Sequence, residues 1–308
     1  MSWAQTAALL AGGAVFLYYG GNLLVKGASR LAGMLGVTPM AVGLTIVAFG
    51  TSLPELVVSL VAVVEGRQAM AIGNVVGSNI ANVGLIIGLT ASLFSVVVVG
   101  KRFVKDLHLM VGVSFYFVLV ILDGVVARWE GLVLLSGIVI YASYRVFLGR
   151  EESDPDLSLG SMPRNLLLVV LGIIGLGLGA SMFVEGAARM ARAVGVSELA
   201  IGLTVVAVGT SLPELATSLV AAFRKESDIS VGNIVGSNLF NLMGVVGPVA
   251  VIRPLAVERE VLSFELPIMI LFSLVLYPVT RMKKKIPRIF ALLILGGYVA
   301  FLVTLFQR

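Results

Sequence analysis

The chain has 308 residues, 58% of them hydrophobic and only 13% charged, about half the charged share of a soluble domain, so a water-soluble globule is excluded and most of the chain lies in lipid. It has no cysteine and a single histidine, His108, which excludes disulfide scaffolds, thiol nucleophiles, iron–sulfur clusters and imidazole-rich metal centres; any metal must be held by oxygen. The net charge of +5 reads as a membrane orientation signal and not as a nucleic-acid surface.

In chain order, apolar runs predict membrane spans over residues 4–24, 39–64, 70–97, 104–122 and 130–148, then over 165–184, 198–223, 229–252, 261–279 and 287–306. Each is near the ~20 residues that cross a bilayer as a helix. The N-terminus lacks the basic opening and cleavage site of a signal peptide, so the first run is expected to stay as a span. Between the fifth and sixth runs lies the one sustained polar stretch, with Glu151, Glu152, Asp154, Pro155, Asp156 and Gly160, which reads as a linker too short to fold alone. The expected fold is an all-α membrane protein of ten transmembrane helices, five in residues 1–149 and five in 165–308, joined by the linker 150–164. When Lys and Arg are sorted to alternate sides of these spans, only Arg67, Arg128, Arg189, Arg192, Arg253, Arg259 and Arg308 of the 22 fall opposite the rest. The positive-inside rule then places the linker in the cytoplasm and both termini outside, in a multi-pass protein of the cell membrane.

The two halves are related. GLTIVAFGTSLPEL at residues 43–56 returns as GLTVVAVGTSLPEL at 202–215, an offset of 159, and the same offset joins Gly27 to Gly186, Asn74 to Asn233 and the GSN triplet 77–79 to that at 236–238. Five spans per half means that the second half enters the membrane from the opposite side, so the halves are inverted repeats. Exchange of conformation between two such halves turns an outward-open cavity into an inward-open one, which favours a secondary transporter over a channel or a membrane enzyme.

Among the acids, Glu55 and Glu214 read as the two that lie mid-span, where an ionised group is expensive and marks a pathway. They are repeat-mates, and two facing carboxylates supply the charge that a divalent cation such as calcium needs among its six to eight oxygens. A proton-sharing pair or a structural hydrogen bond is the alternative, and protons compete for the same oxygens in either reading. Pro54 and Pro213 lack an N–H, so the carbonyls of Gly50 and Gly209 lose their helical partners, while Thr51, Ser52, Thr210 and Ser211 add hydroxyls in the same turn. Asn74, Ser78 and Asn82 recur at a helical spacing of four, as do Asn233, Ser237 and Asn241, and each stripe is expected to face the glutamates. Coordination is the preferred role for Ser78, Asn82, Ser237 and Asn241; helix-to-helix bonding is preferred for Asn74, Asn79, Asn233 and Asn238. Gly73, Gly77, Gly84, Gly232, Gly236 and Gly244 read as close-packing residues or helix breaks. His108, near a span end and without a repeat partner, reads as a solvated loop residue.

With both GTSLPE blocks and both GSN segments in place, the chain resembles the cation/calcium exchanger superfamily, specifically the prokaryotic sodium/calcium antiporters. The resemblance covers both halves. It implies calcium held by Glu55 and Glu214 with backbone oxygens at Thr51 and Thr210. It also implies sodium sites at Ala48, Thr51, Ser52 and Ser78 and at Ala207, Thr210, Ser211 and Ser237, sharing the two glutamates, with Asn82 and Asn241 completing the central polar site. Asn241 stands where the potassium-dependent branch carries Asp, which argues against potassium co-transport, and the short linker leaves no room for a calcium-sensing domain. The implied activity is exchange of sodium for calcium by alternating access in the direction of calcium export. A calcium/proton antiporter using the same glutamates is the nearest alternative. The transported ions and the lipid bilayer are the expected partners, with no cofactor, no nucleic acid and no obligatory protein partner.

Overall fold

A computed structural model describes residues 3–97, 101–148, 160–195, 207–281 and 285–307. Nearly all of the described chain is helical. In chain order it runs α1 (Trp3–Leu35), α2 (Pro39–Thr51), α3 (Leu53–Val64), α4 (Gln68–Leu93), α5 (Lys101–Val120), α6 (Arg128–Leu148), α7 (Met162–Ala193), α8 (Ala207–Thr210), α9 (Leu212–Phe223), α10 (Ser227–Ile252), α11 (Val261–Thr280) and α12 (Arg288–Phe306). Eight of these are long and apolar enough to cross a membrane, and nine if α2 and α3, bent by 40° at Ser52, count as one broken span. The protein is thus an all-α membrane protein. Of the span expected over 198–223, residues 198–206 lie outside the described residues, as does most of the linker, 150–159.

Two helices are much longer than their apolar runs suggest. α1 continues to Leu35 and α7 spans Met162–Ala193, where the hydropathy pattern predicts ends at 24 and 184. At 33 residues α1 is about 50 Å long against an apolar bilayer thickness of about 30 Å. The reason is packing. Gly13 lies against Gly179 and Phe183, Gly20 against Gly172 and Leu176, and Gly27 against Asn165 and Val169, so the two helices run antiparallel with glycines spaced by seven along both. In lipid, where apolar surface gains little by leaving its neighbours, backbone approach of this kind supplies the association energy. The contact persists beyond the apolar core and carries the helices with it.

The remaining helices pack around α4 and α10. Their buried faces hold Leu44, Ile72, Ile80, Ile86, Leu107, Met110, Leu239 and Leu242. Outward faces carry exposed Leu119, Ile140, Leu167, Ile174 and Leu293, and Trp3 and Trp129 stand exposed at helix starts, the place of interfacial anchors. Short extended pieces tie the connections together: Val125–Val126 pairs antiparallel with Leu255–Ala256, and Val97 bridges Lys285.

One buried charge pair escapes the hydropathy reading. Asp106, in α5, lies 3.2 Å from Arg145 of α6 and accepts a hydrogen bond of 3.2 Å from Tyr141, and all three are buried. His108 is a helical residue of α5, exposed and set edge-on to Tyr277 with ring centroids 5.3 Å apart; it is not in a loop, because α5 begins at Lys101.

A Cβ on Gly172 would come within 2.6 Å of the backbone nitrogen of Leu24, whereas one on Gly177 meets nothing within 4 Å among the described residues. Gly172→Val should therefore force α1 and α7 apart, at about 1–3 kcal/mol or more, and lower the thermal midpoint in detergent, with Gly177→Ala leaving it unchanged. Equal midpoints for the two variants would show that the glycine seam does not set the helix separation.

Candidate ion-binding site

The duplicated Gly-Thr-Ser-Leu-Pro-Glu block interrupts a helix twice. Pro54 and Pro213 each occupy the first turn of a new helix, α3 or α9, where their missing N–H is harmless, and Ser52 and Ser211 at the breaks have left helical geometry, with ψ near 5° and 4°. Glu55 and Glu214 therefore stand in the first turn of α3 and α9, at the centre of the bundle and 0% exposed. Gly50 and Gly209 have a second reason to be glycine: a Cβ would strike Ile173 and Val184 of α7 respectively.

The polar side chains of the two halves are interlaced. Asn233 donates to the Glu214 carbonyl (3.3 Å) and to Ser218 (3.1 Å), and its own carbonyl accepts from Thr51 (3.0 Å). The equivalent Asn74 donates to the Glu55 carbonyl (3.2 Å) and Ser59 (3.0 Å) and accepts from Thr210 (3.3 Å). Asn82 donates to Asn238 (3.0 Å) and Asn241 to Asn79 (3.4 Å). Asn238 and Asn79 in turn donate to the sulfurs of Met110 and Met269. Every one of these bonds has its counterpart 159 residues away. Ser59, Ser218, Met110 and Met269 are the members that the sequence reading passes over; the signal was there in their recurrence at the repeat offset.

The hydroxyls converge on the carboxylates. Ser52 and Ser237 donate to the same oxygen of Glu214, at 3.2 and 3.4 Å; Ser211 donates to Ser78 at 3.4 Å, and Thr51 and Ser237 lie 3.4 Å apart. Glu55 is close enough to Glu214 for their charges to interact, and Ser78 is beside it. Ala48 is wholly buried, and its carbonyl accepts from the Ser52 N–H at 3.0 Å. Ala207 opens α8, and its side chain lies outside the described residues.

Among the described residues, both oxygens of Glu55, the second oxygen of Glu214 and the amide oxygens of Asn82 and Asn241 are buried without a hydrogen-bond donor. Leaving a neutral acceptor so costs about 1–3 kcal/mol, and more for a charged one. The amide nitrogens of Asn82 and Asn241 are already engaged, so what remains at the centre is acceptors only, carrying two formal negative charges. A hard cation fits such a set; a thiol or imidazole site does not arise. Gly84, Gly232 and Gly236 are packed against neighbouring backbone or side chains, as expected, Gly232 and Gly236 against Met40, Gly43 and Leu44. The positions 159 residues after those three, which would meet Gly73 and Gly77, lie outside the described residues.

A helical membrane protein with two broken helices and an anionic oxygen site has the features of a cation antiporter, and its relatives are exchangers and not enzymes. The chain belongs to the sodium/calcium exchanger family: the model described as "Sodium/calcium exchanger protein" matches residues 6–148 and 164–307, parting where the polar linker lies. It is 33% identical to the sodium/calcium exchanger MaX1 of Methanosarcina acetivorans over 96% of this chain and 96% of that one, and 34% identical to the putative antiporter CaxA of Alkalimonas amylolytica over 96% and 97%. A solved structure of the sodium-calcium exchanger NCX_Mj matches with a TM-score of 0.87 at 32% identity, covering 99% of both chains. The protein is accordingly a multi-pass membrane exchanger with calcium and sodium as the ions its family carries.

Asn233 is fully buried and Asn74 only partly so. Asn233→Leu removes two donors and one acceptor from groups with no access to water, and should lower stability by about 1–3 kcal/mol, visible as a drop in thermal midpoint in detergent. Asn74→Leu, at the part-buried position, should lower it less; the reverse order would show that the two bonds are not matched as described.

Proposed function

We propose that the protein is a sodium/calcium antiporter that works by alternating access, with ten transmembrane helices in two inverted five-helix repeats, 1–149 and 165–308. The observation that carries this reading is the set of buried acceptor oxygens at Glu55, Glu214, Asn82 and Asn241, left without donors at the centre of the bundle. The antiparallel seating of α1 on α7 supports the inversion, since these segments are repeat-mates that run in opposite directions.

In this reading calcium is held by Glu55 and Glu214 with backbone oxygens of Thr51 and Thr210. Sodium takes Ala48, Thr51, Ser52, Glu55 and Ser78 in one half and Ala207, Thr210, Ser211, Glu214 and Ser237 in the other, while Asn82 and Asn241 complete the centre. Both ions use the same carboxylates, so they exclude one another, and the helices move only when one or the other neutralises the pair. That rule produces coupling: a site emptied of calcium cannot return until sodium replaces it. Exchange of three sodium ions for one calcium moves one net charge per cycle, about 2.3 kcal/mol per 100 mV, so transport responds to voltage and inward gradients drive calcium out. The distribution of Lys and Arg supports an orientation with both termini outside the cell and the linker in the cytoplasm. On that orientation Trp3 and Trp129, at the starts of α1 and α6, both sit at the outer interface.

The reading is tested with purified protein in sodium-filled vesicles diluted into sodium-free buffer containing radioactive calcium. Uptake is expected with internal sodium and not with internal potassium. Uptake driven by internal acid would move the assignment to a calcium/proton antiporter, and uptake indifferent to the internal ion would make it a channel. Glu55→Gln and Glu214→Gln should each reduce sodium-driven uptake at least about a hundredfold, as loss of a charged ligand worth several kcal/mol requires, while leaving the protein monodisperse in detergent. Substantial transport by either variant would remove that carboxylate from the site.

A further inference from the structure

We propose that Thr217 and Thr90 are stepping ligands for a dehydrated cation between the central site and the face at which α4 and α9 end, the cytoplasmic face in the orientation given above; this rests on the antiport reading. Among the described residues they are the two hydroxyls buried without any hydrogen-bond partner, and both are 0% exposed. A hydroxyl inside a membrane helix ordinarily donates to a carbonyl of the preceding turn. Thr45, Ser114 and Ser273, also buried, do so, to the carbonyls of Ala41, Met110 and Met269 at 2.6, 2.8 and 2.9 Å. Thr90 and Thr217 lie within helices too, yet leave that bond unmade. Away from water an unmet hydroxyl is unfavourable, so these two oxygens are held ready for a partner that comes and goes.

Their places fit that use. Thr217 is three residues after Glu214 on α9, about 4–5 Å nearer the end of that helix. Thr90 is four residues before Phe94, about 6 Å in from the end of α4. Phe94 meets Phe223, the last residue of α9, edge-on with ring centroids 6.1 Å apart. The two helices therefore reach one face together, and both hydroxyls stand at depths between the carboxylate and this aromatic pair. On α4 the spacing of four that carries Asn74, Ser78 and Asn82 continues through Ile86 to Thr90, so the polar stripe resumes beyond one apolar residue. The repeat shows that packing does not ask for the hydroxyls: the residues 159 positions from Thr217 and Thr90 are Val58 and Val249, which have the shape of threonine with a methyl in place of the hydroxyl. Val249, at 1% exposed, is as deeply buried as Thr90. Neutral oxygens hold a hard cation more weakly than carboxylates do, and a passage needs that: an ion must be bound well enough to shed water and loosely enough to leave.

The test uses the full-length protein in right-side-out and inside-out membrane vesicles, comparing wild type with Thr217→Val, Thr90→Val, Thr217→Ser and Thr90→Ser in sodium-driven calcium exchange and, in detergent, by thermal midpoint. Each valine variant should raise the calcium KM at the face where α4 and α9 end about three- to tenfold, as loss of one oxygen ligand gives, with the KM at the opposite face within about twofold of wild type. Its midpoint should stay at the wild-type value or rise, because no bond inside the fold is lost. Serine keeps the hydroxyl and loses a methyl, so each serine variant should keep the wild-type KM and lower the midpoint. Valine variants with wild-type KM at both faces, or with the same rise at both, would overturn the proposal alone. So would serine variants with the KM of valine, or a fall in midpoint on substitution by valine, which would show the hydroxyls bonding within the fold. A wild type that shows no sodium-driven exchange would overturn the antiport reading and this one with it.

Discussion

Two carboxylates held together out of water are the constraint around which the rest of the molecule is arranged. Glu55 and Glu214 are 0% exposed, in a region where even one acidic side chain is unfavourable by several kcal/mol. Among the described residues neither has a basic partner; their neighbours are hydroxyls, amides and each other. A structural ion pair would have used an arginine, as Asp106 does with Arg145. A site that is stable only when a mobile cation is bound, by contrast, must withhold any fixed positive charge. The helix breaks follow from the same need. An unbroken helix through residue 55 would commit its backbone oxygens to the next turn, whereas restarting the helix at Leu53 and again at Leu212 brings hydroxyls, carbonyls and carboxylate into one small volume.

Breaking two helices in the middle of a membrane leaves them weakly held, and the paired asparagines answer that. Asn74 and Asn233 each clamp one restarted helix through its glutamate carbonyl and a serine one turn on, and each also accepts the threonine hydroxyl from the opposite half. These bonds are directional and buried, so they fix register and cannot slip without leaving polar groups unpaired. The α1–α7 contact is of another kind. It is lined mostly by glycine and aliphatic groups, with Phe183 and Asn165 among them, and it is held by close backbone approach, so that a shift along it would bring a larger side chain onto a glycine contact.

Much of this was legible in the sequence, and for identifiable reasons. The 159-residue repeat gave the two glutamates, the helix breaks and the polar stripes, because chemistry repeated at a fixed offset stands out against apolar spans. The ends of α1 and α7 were not legible, since hydropathy registers lipid contact while these ends are set by a helix–helix seam that continues past it. Asp106 was passed over for a related reason: it lies within a few residues of a helix start, where a sequence gives no sign of whether an acid meets water or an arginine on another helix.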